Sequence, residues 1–177
     1  MISCTEQSNR VTESSEQERK TQLKVLSPSK TGISFSNNIK EDPSFHYFIY
    51  TYAYHGGGVA VGDINGDDLP DIYFTANQLP NKLYLNKGNL KFEDITEKAG
   101  VSGNSGWTTG VTMVDANADG KLDIYVCMSG MDEDPTTRKN LLYINNGGCK
   151  FTERAVEYGI AGANHTSMAY FADLDND

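Results

Sequence analysis

No run of the 177 residues is long and apolar enough to be a membrane-spanning helix, so the expected membrane contact is only through a possible lipid anchor at Cys4. Basic residues are scarce: 15 Lys and Arg stand against 24 Asp and Glu, a net charge of -9 with an isoelectric point near 4.7. Such a surface repels phosphate backbones, and a nucleic-acid role has no electrostatic footprint here. Histidine is limited to His46, His55 and His165, with no His-x-x-x-His spacing, Cys/His pair or Ser/His/Asp set in sight. The chain therefore reads as a binding protein and not an enzyme. There are three cysteines, so at least one is left over from any pairing.

What the chain does have is a nine-residue acidic loop that occurs twice and starts a third time. The copies are Asp63-Ile-Asn65-Gly-Asp67-Asp-Leu69-Pro-Asp71, Asp115-Ala-Asn117-Ala-Asp119-Gly-Lys121-Leu-Asp123, and Asp173-Leu-Asp175-Asn-Asp177. Oxygen donors at positions 1, 3, 5, 7 and 9, with Leu69 and Lys121 offering backbone carbonyls at position 7, form the ligand set a calcium ion needs. Calcium is the expected cofactor. An EF-hand is excluded because position 12 is Phe74 or Val126 instead of Glu. The flanks, such as GVAVGD before and DIYF after, are β-branched and aromatic with period two, so each loop joins two strands of a hairpin. Position 6 wants a left-handed backbone, which Gly120 supplies freely and Asp68 less so. The first loop is thus expected to be the less regular one.

The repetition extends further. NKLYLNKGNLKFEDITEKAGV from Asn81 aligns without a gap on NLLYINNGGCKFTERAVEYGI from Asn140. Lengthening of the second copy falls in the polar stretch around Met131 to Pro135, where a longer loop costs little. Each repeat reads as four antiparallel strands, with Asn86-Lys-Gly88 and Asn145-Asn-Gly-Gly148 as turns that accept positive φ. Four-stranded repeats of this length are β-propeller blades, so the fold class is all-β, an incomplete propeller ring of blades with calcium hairpin loops. The expected boundaries are 1–31 for a tether and 32–177 for the propeller, with repeats at about 55–106 and 107–164 and a third from 165. One blade face and an edge should stay uncovered.

HGGGVAVGDINGDDLPDIYF followed by PNKLYLNKGNLKFEDITEKAGV resembles the FG-GAP/VCBS repeats of the integrin-α-like propeller superfamily, over roughly residues 32–177. Within it the chain looks most like ASPIC/UnbV-containing proteins of the cartilage acidic protein-like family. The resemblance implies calcium in the blade hairpins, an extracellular or adhesive setting, and an ASPIC/UnbV module beyond Asp177. Function follows from it only loosely.

Thr5 to about Thr31 is polar, with almost no aromatic residues, and reads as a disordered tether. Met1-Ile-Ser-Cys4 resembles the end of a bacterial lipobox, which would make Cys4 a lipidation site and the protein an outer-membrane lipoprotein; an incidental cysteine at a cytosolic start is the alternative. Cys127 and Cys149 could pair, but they fall on non-adjacent strands and are expected to be free or buried. Gly32-Ile-Ser-Phe35 repeats the outer-strand pattern of Asn89 to Phe92 and is expected to be a strand. His46 to Tyr54 alternates and is expected to pack as a strand, with a sugar-stacking platform as the alternative. His55, Trp107 and His165 each stand eight residues before a loop's first Asp and should share one face.

The leading functional reading is a calcium-stabilised cell-surface propeller that binds an extracellular protein or glycan, with ligand contacts on loops such as Ser129 to Arg138. A glycan-handling enzyme with its active site in other blades, or a scaffold for a C-terminal module, are the alternatives.

Overall fold

The computed structural model describes residues 23–104, 106–132 and 134–174. A helical turn α1 (Pro28–Thr31) is followed by strands β1 (Val59–Gly62), β2 (Asp71–Phe74), β3 (Lys82–Asn86) and β4 (Phe92–Asp94), then a second turn α2 (Thr96–Ala99). After these come β5 (Trp107–Val114), β6 (Asp123–Ser129), a 3-10 turn (Pro135–Arg138), β7 (Leu141–Asn145) and β8 (Phe151–Glu153). The strands form two four-stranded antiparallel sheets, each in simple sequence order. The all-β expectation with two sequential sheets is what the chain adopts.

Period-two patterning decides which face each side chain takes. On β6, Ile124, Val126 and Met128 point into the core between the sheets, where they meet Tyr73, Leu83, Leu85 and Val111. Tyr125 and Cys127 point the other way, into a second cluster with Leu142, Ile144 and Ala155. The second sheet is therefore buried on both faces. The first is not: Val59 and Val61 are 56% and 61% exposed.

The sheets approach closely because glycine lines their contact. A Cβ on Gly58 would stand 2.9 Å from the Thr109 carbonyl oxygen of the second sheet, and one on Gly110 would stand 2.4 Å from that of Ser167 in the segment that follows β8. Polar side chains then tie the first sheet to the second, and the second to the segment after β8. Asn81 Oδ1 accepts the Ala76 amide at 3.0 Å and the Thr108 hydroxyl at 2.7 Å, and Asn140 Oδ1 accepts the Met128 amide at 2.8 Å while its Nδ2 reaches Thr166 Oγ1 at 3.2 Å. Asn81 and Asn140 open the aligned segments of the two repeats, so the same joint is built twice.

Two segments differ from the sequence expectation. Gly32 to Phe35 is not a strand. Gly32 caps α1 with φ 83°, as Gly100 caps α2 with φ 77°, and Gly159 ends the equivalent turn with φ 70°. Gly32-Ile33 thus matches Gly100-Val101 and Gly159-Ile160, and the shared aromatic at Phe35 misdirected the alignment. Phe35 instead stacks on Phe74 at 4.7 Å. His46 to Tyr54 is not a strand either. It runs as successive turns, with the Ile49 and Tyr50 amides bonded to the His46 carbonyl and the Ala53 amide to that of Tyr50. Only Tyr50 and Ala53 of this run are buried, and Tyr47, Phe48, Tyr52 and Tyr54 are exposed. The expected N-terminal tether and Cys4 lie outside the described residues up to residue 22; Pro28–Thr31, at the end of that span, is the ordered turn α1. Cys127 and Cys149 are both free thiols, with Cys127 buried and pushed by that burial up to about 11.

Candidate functional site

Each acidic loop closes a hairpin, β1 to β2 and β5 to β6, and the two copies share their hydrogen bonds. Asp63 Oδ1 accepts the amides of Asn65, Gly66 and Asp67 at 3.2, 2.8 and 3.2 Å, and its Oδ2 accepts that of Asp68 at 2.7 Å. In the second loop, Asp115 Oδ1 and Oδ2 accept the amides of Asp119 and Gly120 at 3.1 and 2.8 Å. The oxygens of Asn65 and Asn117 cap the amides of Asp67 and Asp119, and Asp67 and Asp119 in turn cap those of Leu69 and Lys121.

Position 6 is left-handed in both loops, at φ 64° for Asp68 and 81° for Gly120. Position 4 is left-handed too, with Gly66 at 78° and Ala118 at 56°. The loops therefore carry one unfavourable residue each, and the first is no less regular than the second.

Position 9 differs in character from the rest. Asp71 and Asp123 are fully buried. Asp71 accepts the amides of Ile64 and Asn86 at 3.0 and 2.7 Å, and Asp123 those of Ala116 and Asn145 at 3.0 and 2.7 Å. Burial pushes the Asp71 carboxyl above its usual range; the amides of Asn86 and Ile64 pull it back, and the charges of Asp67 and Asp63 push it up again. Asp123 is raised in the same way, by burial first and further by Asp119 and Asp115. Among the described residues no ion pair reaches either carboxylate. Two buried anions, each beside two more carboxylates, are an arrangement that a cation would stabilise.

The donor chemistry of both loops fits calcium: three carboxylates, one carboxamide and one carbonyl at alternate positions. The side chains do not converge on a point, however. Among the described residues no three His, Cys, Asp or Glu side chains are grouped closely enough to hold a metal ion. Their oxygens are turned to backbone amides, and Lys121 Nζ sits 2.9 Å from Asp119 Oδ2. In the third copy only Asp173 is described, and it is exposed; Asp175 and Asp177 lie outside the described residues.

Asn86 and Asn145 were legible in the sequence only as turn residues. Asn86 Nδ2 donates to the Pro70 carbonyl at 2.9 Å, holding the strand turn against the acidic loop. Asn145 Nδ2 donates to Leu122 at 3.0 Å and also crosses to the Ile64 carbonyl of the first loop at 2.8 Å. That last bond fixes one loop against the neighbouring sheet.

At the start of the inner strands lies a cavity of about 1130 Å³, and His55, Trp107 and His165 all line it. Ser129 to Asp132 and Arg138 form another wall, so the loop expected to vary for binding opens onto the same space. The sequence missed one pairing. Ser129 Oγ and His165 Nδ1 lie 3.2 Å apart, although the residues are separated by 36 positions. In a serine hydrolase the imidazole meets the nucleophile through Nε2 and keeps Nδ1 for the carboxylate that orients it. Here the serine occupies Nδ1, which suits a fixed donor-acceptor pair better than an activated nucleophile.

Residues 63–126 match the FG-GAP-like repeat family. The chain is similar to Cartilage acidic protein 1 of Xenopus tropicalis, 35% identical over 127 residues that cover 70% of this chain and 18% of that protein. It is also similar to the proteins of that name from Mus musculus, 41% identical over 69 residues, and Homo sapiens, 40% over 72. Those matches cover 39% and 40% of this chain and 11% of each relative. The chain thus spans less than a fifth of the length of the curated relatives it matches.

Proposed function

We propose that this FG-GAP repeat chain, similar to the cartilage acidic proteins, contributes blades to a calcium-stabilised extracellular β-propeller that binds a protein or glycan. The observation that carries the reading is the pair of loops with one shared hydrogen-bond scheme, each burying a position-9 carboxylate that makes no ion pair among the described residues. Calcium held by Asp63, Asn65, Asp67, Leu69 and Asp71, and by Asp115, Asn117, Asp119, Lys121 and Asp123, would neutralise those charges and lock each hairpin.

Burial of the second sheet on both faces supports a stacked arrangement, and the uncovered Val59 and Val61 support a further sheet against the first. Calcium loops of this type in extracellular modules bind in the range of about 10⁻⁴ to 10⁻³ M, which an extracellular setting would supply. Attachment through a lipidated Cys4, as in a bacterial outer-membrane lipoprotein, belongs to the same reading.

Recognition is assigned to the cavity face, where equivalent positions of successive repeats converge. The test is an array of matrix proteins and glycans probed with the protein in millimolar calcium and again in chelator. Binding that disappears with chelator supports the reading, and equal binding in both conditions counts against calcium-organised recognition.

A further inference from the structure

The cavity at the start of the inner strands combines two features that restrict what it can hold. One wall is aromatic and set in place. Trp107 is packed edge-on by Tyr50 at 5.4 Å and tilted against Phe45 at 5.2 Å, and Tyr52 meets His55 edge-to-face at 4.8 Å while staying 57% exposed. Flat faces fixed in this way suit the C–H face of a sugar ring, which carries the partial positive charge that a π face attracts.

The other wall is polar and incomplete. Ser129 and His165 hold each other at 3.2 Å. Arg138 donates one guanidinium nitrogen to the Asp132 carbonyl, but its Nε is buried with no partner among the described residues. No carboxylate pairs with this guanidinium among those residues. Arg138 also lines the cavity, and the group that a guanidinium fork pairs with best is a carboxylate. Among the described residues, nothing in the acidic loops or the sheet packing uses Arg138, Tyr52 or the exposed face of His55.

We infer that the cavity binds an acidic saccharide, with a pyranose ring on Tyr52 and Trp107 and a uronate carboxylate on Arg138. This rests on the reading of the chain as a binding propeller and names the ligand class of that site. A hydroxyl-rich ring would also use the Ser129–His165 pair as donor and acceptor.

Trp107 is the sole tryptophan, so its fluorescence reports on the cavity directly. The protein in calcium is titrated with trigalacturonate, with neutral maltotriose and with a tetraglutamate peptide. Trigalacturonate is expected to change the emission saturably and to bind at least roughly tenfold more tightly than maltotriose, a difference of about 1.4 kcal/mol. Arg138→Gln should remove that preference and Tyr52→Ala should weaken both sugars, while both variants keep the wild-type melting temperature. No saturable change with trigalacturonate, or an unchanged preference in Arg138→Gln, overturns the inference. An equal or stronger response to tetraglutamate overturns it in favour of an acidic peptide. Melting in calcium and chelator is followed in parallel: a protein that calcium stabilises but that ignores trigalacturonate refutes the ligand and leaves the calcium reading standing.

Discussion

Replacing Asp123 by alanine separates what the loop does for the fold from what it does for a metal. The carboxylate is fully buried and is the acceptor for the Ala116 and Asn145 amides at 3.0 and 2.7 Å. Leaving two buried donors unsatisfied costs about 1–3 kcal/mol each, or about 2–6 kcal/mol together. Loss of a desolvated charge beside Asp119 and Asp115 acts in the opposite direction, which places the net loss in the lower half, about 2–4 kcal/mol. For a domain of this size that is a fall in melting temperature of roughly 5–15 °C. The assay is thermal unfolding followed by circular dichroism, in chelator and in excess calcium. In chelator, wild type and Asp123→Ala should differ by that amount. In calcium at a hundred times the dissociation constant, each occupied loop adds about 2.7 kcal/mol to the wild type, and the variant should lose the share of its own loop. Asp119→Asn keeps the acceptor for the Lys121 amide and gives up only a partly exposed ion pair with Lys121, so it should melt close to wild type in chelator and lose only its own loop's calcium increment. An Asp123→Ala protein that melts with the wild type in chelator refutes the hydrogen-bond account of this residue, and one that keeps the whole calcium increment refutes its role as a ligand.

Ala118 holds a left-handed backbone at φ 56°, so Ala118→Gly should stabilise the chain by up to about 1 kcal/mol, against the usual cost of an added glycine, as read by denaturant melts. Gly110→Ala should lower stability by several degrees or more, because its Cβ would stand 2.4 Å from the Ser167 carbonyl oxygen, which is backbone and cannot swing away. Asp94 feels desolvation that pushes its carboxyl up, but the Thr96 hydroxyl, Lys82 and the Thr96 amide outweigh this and hold it below the usual range. Its contribution is therefore present above the ordinary carboxylate pKa and lost as pH falls through the lowered one; Asp94→Asn should flatten the acid side of the stability profile, and an unchanged profile counts against it.

The four-stranded repeats were legible because the chain states them twice. Ile124, Tyr125, Val126, Cys127 and Met128 alternate between two cores, and Gly88 and Gly147 stand where the turns need positive φ. The loops were legible from the spacing of Asp63 to Asp71 and Asp115 to Asp123, but the spacing does not show where the oxygens point, and in the structure they face backbone amides. His46 to Tyr54 misled because aromatic alternation also fits a chain of turns; the clue is that the buried Tyr50 and Ala53 are three apart, not two. Gly32 to Phe35 misled because one aromatic was weighed above the glycine that ends α1, α2 and the turn before Ile160. The Ser129–His165 contact and the buried Arg138 Nε, without a partner among the described residues, are products of tertiary packing, and no local pattern announces them.

The central claim is that the two acidic hairpins are calcium sites on which the fold depends. Melting of the protein after exhaustive chelation, and again after adding calcium or magnesium at the same concentration, tests it most directly. A rise with calcium, a smaller rise with magnesium because of its stricter octahedral demand, and a calcium rise cut by the second loop's share in Asp119→Asn are what the account predicts. One melting temperature in all three conditions would contradict it.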